Sequence, residues 1–80
     1  MKARVLVRLK PSILDAQGSS VKRALEGLGF PEVQDVRVGK VLDLELGGIS
    51  PDQARKRIEE MCARLLANPV IEDFTVEVLG

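Results

Sequence analysis

The feature that most restricts the fold of this chain is the order in which its apolar residues change spacing. Apolar residues at every second position are typical of strands, and apolar residues at i, i+3, i+4 and i+7 are typical of amphipathic helices. In chain order the spacing predicts a strand at 4–9, a helix at about 19–28 and strands at 33–38 and 41–46. A second helix follows, which begins after its cap Ser50 and ends at Asn68-Pro69. The last predicted strand covers about 70–79.

This order of strand, helix, strand, strand, helix and strand predicts an α+β fold of the ferredoxin-like βαββαβ type. One four-stranded antiparallel sheet would carry both helices on one face, with the first and third strands in its centre. Gly39-Lys40 predicts a tight turn between the two middle strands, which would then form a hairpin. No linker or low-complexity segment interrupts the chain, so we expect a single domain spanning 1–80.

The other face of the predicted sheet would have no cover from this chain. It would present Arg4, Leu6 and Arg8 on the first strand, between acidic residues of the third and last strands. Opposite charges on neighbouring strands stabilise a sheet. Two interpretations stay open: a solvated face, or a self-association surface in which Leu6 and Val41 contact a second copy. The small size of the chain favours self-association, because a short chain alone buries a small fraction of its surface.

Composition and charge exclude several classes of function. The 12 Lys and Arg residues balance the 12 Asp and Glu residues, which argues against a non-specific binder of nucleic acid or of anionic lipid. The absence of His excludes His-ligated metals and His-based general catalysis. No apolar run approaches the roughly 20 residues of a membrane-spanning helix. A single Cys fits a reducing compartment, so we expect a cytoplasmic protein.

No group of side chains in the sequence predicts a catalytic centre. Cys62 lies on the apolar face of the second helix and is expected to be a buried structural thiol rather than a nucleophile. The serines lack the His that a catalytic triad requires. Ser19 and Ser20 lie at the start of the first predicted helix and suit an anion site or a helix cap, and the cap is favoured because the lysine of a P-loop is absent. We therefore expect no catalytic, cofactor-binding or metal-binding residue in this chain.

Three stretches of the sequence, taken together, resemble the PurS family. They are Lys-Pro-Ser-Ile-Leu-Asp-Ala-Gln-Gly at 10–18, Val-Arg-Val-Gly-Lys at 36–40, and the segment 61–74, which contains Leu-Leu-Ala-Asn-Pro followed by Glu-Asp-Phe. The last stretch is the most specific of the three. Ala16 departs from the family pattern, which often has Pro after the loop aspartate.

The resemblance implies the small subunit of phosphoribosylformylglycinamidine synthase, a glutamine-dependent, ATP-consuming C–N ligase complex of de novo purine biosynthesis. It implies a non-catalytic homodimer or larger oligomer that bridges a glutaminase subunit and a synthetase subunit and assists ammonia transfer between them. ATP, Mg and glutamine would be used by those partner subunits, and this chain would hold no cofactor. Carried over residue by residue, the resemblance implies partner contacts at Asp15, Gln17, Arg37, Lys40, Asn68, Glu72 and Asp73.

A second class of function is left open by the residues themselves. A free-standing ferredoxin-like regulatory module could bind a small molecule at a dimer seam, and fold alone does not decide between the two. The candidate contact residues also have structural interpretations. Asn68-Pro69 suits the end of a helix, and the charged residues suit solvated positions.

Overall fold

A three-stranded antiparallel sheet forms the centre of the computed structural model, which covers residues 1–80. Its strands are β1 (Lys2–Leu9), β2 (Gly39–Glu45) and β3 (Glu72–Val78), in the order β2-β1-β3. Val5 of β1 lies opposite Leu42 on one side and Val76 on the other. The predicted central position of the first strand is confirmed, whereas the predicted central position of the third strand is wrong, because that segment is β2 and lies at an edge. Alternate residues of β1 are buried, as period-two spacing requires.

Helix α2 (Pro51–Met61) covers one face of this sheet. It begins as the sequence predicts: Ser50 is the N-cap, its Oγ accepts a hydrogen bond from the Gln53 N–H at 3.4 Å, and a proline stands at the first helical position. A π-helical turn, Cys62–Leu66, continues the helix, and the Ala67 N–H donates to the Cys62 carbonyl at 3.0 Å. The buried apolar core consists of Ala3, Val5, Val7, Ala54, Ile58, Cys62, Ala67 and Val76.

Helix α1 (Ala16–Gly27) lies outside this core. Its N-cap is Asp15, so the prediction of Ser19 or Ser20 as the cap is wrong. Gly18 is the only buried residue of the helix. The prediction that both helices cover the sheet is therefore also wrong, because α1 contributes nothing to the core. Neither helix is long and apolar enough to cross a membrane.

The predicted fourth strand is absent, and the four-stranded sheet is corrected to three strands. Segment 33–38 forms no strand, and the Val38 N–H donates to the Asp15 carboxylate instead of to a neighbouring strand. Gly39 and Lys40 do not form a hairpin turn, because they are the first residues of β2 and lie opposite Arg8 and Val7. The order of the remaining elements still fits the βαββαβ arrangement with its second strand missing.

The molecule is elongated for its size. Its principal extents are 50 × 25 × 14 Å and its radius of gyration is 16.0 Å, whereas a compact chain of this length would have about 12 Å. We call residues 10–38, which contain α1, the arm. None of the core residues, and none of the partly buried apolar residues packed against them, comes from the arm. The elongation follows, because the arm extends beyond the packed sheet and α2.

Candidate functional site

Asp15 connects the start of α1 to the residue that immediately precedes β2. Its Oδ1 accepts a hydrogen bond from the Gly18 N–H at 2.7 Å, which caps α1, and its Oδ2 accepts one from the Val38 N–H at 2.6 Å, just before β2. These backbone hydrogen bonds hold the pKa of the Asp15 carboxyl below its ordinary value, because they favour the charged form. The carboxylate therefore links two segments that are far apart in the sequence.

Two further contacts tighten this junction. The Nη2 atom of Arg37 donates hydrogen bonds to the carbonyls of Lys10 and Ile13, at 3.0 Å each. Gly18 approaches the Val36 carbonyl so closely that a Cβ atom at position 18 would collide with it. We call Asp15, Gly18, Arg37 and Val38 the clasp. Its members bond within the chain, so Asp15 and Arg37 have a structural role in addition to the partner contact predicted for them.

The clasp lies at the end of the sheet where β1 finishes and β2 and β3 begin, because Arg8 lies opposite Gly39 and Leu9 lies opposite Glu72. We call this the clasp end. A cleft of about 420 Å³ there contains Arg8, Asp35, Arg37 and Asp73. A second cleft, of about 350 Å³, contains Asp15, Gln17, Lys40 and Glu72. The structure thus gathers residues of all three sequence motifs at one end of the sheet.

Asn68 adjoins the same end through a small turn. Its N–H donates to the Glu72 carboxylate at 2.7 Å, and its side-chain oxygen accepts from the Val70 N–H at 3.1 Å. The Asn68 and Glu72 backbones are also bonded, at 2.7 Å. This turn ends the helical segment and directs the chain into β3. Asn68 and Glu72 therefore shape the clasp end while remaining exposed or partly exposed.

The residues predicted for self-association lie on the sheet face opposite α2. Leu6 and Val41 are direct neighbours in the register, and Val41 is 57% exposed. The predicted charge pattern surrounds them: Arg4 lies between Asp43 and Glu77, and its Nε donates to Asp43 Oδ1 at 2.8 Å. Leu6 and Val41 therefore form an apolar pair beside the charged residues of the same sheet face. Contact of this pair with a second copy stays a prediction.

The described side chains form no reactive centre that we can identify. No group of three Cys, Asp or Glu residues is arranged to hold a metal ion. Cys62 is fully buried, and desolvation, with a smaller contribution from Glu59, raises the pKa of its thiol. A thiol with a raised pKa in an apolar setting is a poor nucleophile. The two clefts at the clasp end are charged and open to solvent rather than enclosed.

Sequence reasoning missed two residues of the first cleft, Arg8 and Asp35. The alternation of β1 did place Arg8 on the open face, so a signal for it existed. Asp35 falls in the segment predicted as the second strand, which does not form. Nothing in the sequence indicates that the Val38 N–H bonds to Asp15, because every residue except proline has the same backbone donor. The clasp could be recognised only from the fold.

Comparisons with known proteins agree with this architecture. The family model for PurS, described as phosphoribosylformylglycinamidine (FGAM) synthase, matches residues 2–80. The FGAM synthase subunit PurS of Bacillus subtilis is 48% identical over 77 residues, which is 96% of this chain and 90% of that protein. The Methanocaldococcus jannaschii subunit is 40% identical over 77 residues, which is 96% of this chain and 93% of that protein.

Solved structures give the same result. Bacillus subtilis PurS superposes with a TM-score of 0.90 at 47% identity and covers 99% of this chain and 98% of its own. A structure of PurLQS from Thermotoga maritima superposes with a TM-score of 0.87 at 28% identity, over 98% of this chain and 95% of that chain.

The fold and the clasp end define a small α+β protein with a three-stranded sheet, in the βαββαβ order without its second strand, and with open, charged surface clefts. The chain belongs to the PurS family, whose members are subunits of FGAM synthase.

Proposed function

We propose that this chain is the connector of an FGAM synthase complex. It joins a glutaminase subunit to an ATP-dependent synthetase subunit, assists the transfer of ammonia between them, and contributes no catalytic group. The observation that carries this proposal is the clasp end, where the charged residues of three separate motifs lie together around two open clefts. The glutamine, ATP and Mg of the reaction belong, in this proposal, to the partner subunits.

The charges of the clasp end fit a protein partner. Arg8 and Arg37 alternate with Asp35 and Asp73 in one cleft, and the second cleft also mixes acidic and basic residues. The two carboxylates would offset the attraction of the two arginines for an anionic nucleotide. A protein surface of complementary pattern would pair with both signs, which gives specificity and fixes the orientation of the complex.

The relatives support the composition of the complex. The Thermotoga maritima structure carries the name PurLQS, and this chain superposes on it over nearly its full length. The Bacillus subtilis and Methanocaldococcus jannaschii relatives are named as subunits of the synthase. This chain belongs to that family and has no evident reactive centre. Its role in the complex is therefore best explained as positioning the catalytic subunits.

Charge reversal at Lys40 tests the partner surface. Lys40 is exposed in the second cleft and forms no ion pair within the chain, so we expect Lys40→Glu to leave the fold intact. We expect the variant to bind the partner subunits at least about tenfold more weakly, a loss of roughly 1.4 kcal/mol. The measurement is affinity capture of tagged chain with purified glutaminase and synthetase subunits, in the presence of glutamine and ATP.

Lys56→Glu is the matched control, because Lys56 is also exposed but lies on α2, away from the clasp end. Equal binding by the wild type and both variants would remove the clasp end from the partner surface. Failure of the wild-type chain to capture either subunit would contradict the proposed function itself.

A further inference from the structure

The first cleft at the clasp end contains charged side chains of both signs that do not pair with one another. None of the ion pairs of the chain involves its four charged members, which are Arg8, Asp35, Arg37 and Asp73. The other end of the same sheet face differs, because Arg4 contacts Asp43 there at 2.8 Å. Opposite charges that share a cleft without pairing leave room for a ligand that carries both signs.

The sheet forms the floor of this cleft. In the register of β1 with β3, Arg8 lies opposite Asp73. The next pair on the same face is Leu6 and Thr75. Gly39 lies opposite Arg8 on the other side, and a Cβ atom there would be 3.0 Å from the Arg8 Cγ. The stem of Arg8 therefore lies towards β2, on the side away from Asp73, and the two charges stay apart.

The arm forms the wall of the cleft, and its arginine is held in place. The Nη2 atom of Arg37 donates to the carbonyls of Lys10 and Ile13, which leaves Nε and Nη1 without a hydrogen-bond partner in the chain. Asp35 supplies the opposite charge in the same wall. A guanidinium that its own chain already holds loses less freedom when it binds a carboxylate.

The charges, size and lining of the cleft define the chemistry of the ligand. Two positive and two negative side chains balance, so a simple anion or cation would pair with one sign and leave the other unpaired. The volume of about 420 Å³ lies within the roughly 300–1,000 Å³ of small-molecule sites. Leu6, Leu9 and Val38 add apolar surface. A small zwitterion with an apolar tail satisfies all three features.

We propose that the first cleft binds a free α-amino acid with an apolar side chain. Arg8 and Arg37 donate to its carboxylate. Asp35 and Asp73 accept hydrogen bonds from its ammonium group. A free amino acid is small enough to place both of its charges inside one cleft, which a flat protein surface is not. The inference goes beyond the connector function, whose test at Lys40 concerns the second cleft.

Nuclear magnetic resonance of the isotope-labelled full chain tests the class of ligand. The probes are L-leucine, isocaproate, which is leucine without its amine, and isoamylamine, which is leucine without its carboxylate. We expect leucine to give saturable shift changes at residues of the first cleft. Each analogue should bind at least about tenfold more weakly, because it leaves two charged side chains of the cleft without a partner.

Substitutions locate the site. Arg8 is exposed and has no ion pair, so we expect Arg8→Gln to fold and to bind leucine at least about tenfold more weakly. Arg4→Gln is the matched control, since Arg4 lies on the same strand and face at the other end, and it should bind like the wild type. Asp73→Asn should narrow the difference between leucine and isocaproate, because isocaproate has no ammonium group to lose a partner.

Clear outcomes overturn the proposal. The absence of saturable shift changes with leucine contradicts it, and isocaproate that binds as tightly as leucine would show a simple anion site instead. Equal binding of leucine by Arg8→Gln and Arg4→Gln would place the ligand elsewhere. If circular dichroism shows that Arg8→Gln does not fold, the comparison of the three probes on the wild type decides. Capture of the partner subunits is a separate measurement, so failure here leaves the connector function standing.

Discussion

Asp15 illustrates how one side chain can define the shape of a small protein. Its two oxygens bond to backbone donors on α1 and just before β2, so the Val38 N–H has a partner without a neighbouring strand. Gly18 makes the approach possible, because any side chain there would collide with the Val36 carbonyl. At the scale of single residues, the position of the arm depends on this junction.

Replacing Asp15 by Asn should weaken the junction in a pH-dependent way. The native hydrogen bonds lower the Asp15 pKa, so their stabilisation is fully present above the pKa of an unfolded aspartate, about 3.9, and is lost as pH falls towards the lower folded value. We expect Asp15→Asn to lower the urea midpoint at neutral pH, and its difference from the wild type to shrink at about pH 3.

Asp52→Asn serves as the control for that comparison. Asp52 is exposed at the first turn of α2 and accepts no side-chain hydrogen bond, so the same loss of charge should change the midpoint much less. An Asp15→Asn chain as stable as the wild type at neutral pH would show that the junction does not hold the arm.

Gly18 and Gly27 form a second matched pair. Gly18→Ala forces the Val36 carbonyl to move and should destabilise the chain by about 1–3 kcal/mol, as overpacking does. Gly27→Ala meets no atom within 4 Å and should be neutral or stabilising by about 0.4–1 kcal/mol, because alanine reduces the entropy of the unfolded chain. Urea unfolding measures both. Equal effects of the two substitutions would contradict the close approach at Gly18.

The sequence allowed the two helices to be found but not told apart. Both have an apolar stripe at helical spacing, and periodicity shows that a face is apolar without showing what covers it. Only the structure shows that α2 packs on the sheet while α1 extends along the arm. The wrong prediction of a fourth strand has the same cause, because alternation does not show what a segment pairs with. Val36 and Val38 alternate like strand residues, but the Val38 donor bonds to a carboxylate 23 positions away.

Core packing at the element scale is therefore expected to depend on α2 and its π-helical turn. Ile58 is fully buried between α2 and the sheet, so Ile58→Ala should cost about 2–5 kcal/mol, enough to unfold much of a marginally stable domain. Leu65 follows in the π-helical turn and is 83% exposed. Leu65→Ala should cost less than about 0.5 kcal/mol.

Chemical unfolding followed by circular dichroism gives both values. If Ile58→Ala were as mild as Leu65→Ala, the packing of α2 on the sheet would be wrong. If Leu65→Ala were as damaging as Ile58→Ala, Leu65 would be buried in an assembly that the isolated chain does not show.

The whole molecule is consistent with a connecting part. It is elongated, it presents mixed charges at one end of its sheet, and it leaves an apolar helix stripe uncovered. The absence of His was evident from composition, and the PurS motifs were evident from three short stretches. The clustering of those motifs was not, because residues that are distant in sequence meet only through the antiparallel register of β1 with both neighbours.

The connector account is tested most directly by a reconstituted synthesis assay with two nitrogen sources. Glutaminase and synthetase subunits are combined with ATP and formylglycinamide ribonucleotide, with or without this chain, and product formation is measured with glutamine and, separately, with free ammonia. We predict that omitting the chain lowers the rate of glutamine-dependent synthesis and leaves ammonia-dependent synthesis unchanged. Unchanged glutamine-dependent synthesis without the chain, or loss of both activities together, would contradict the account.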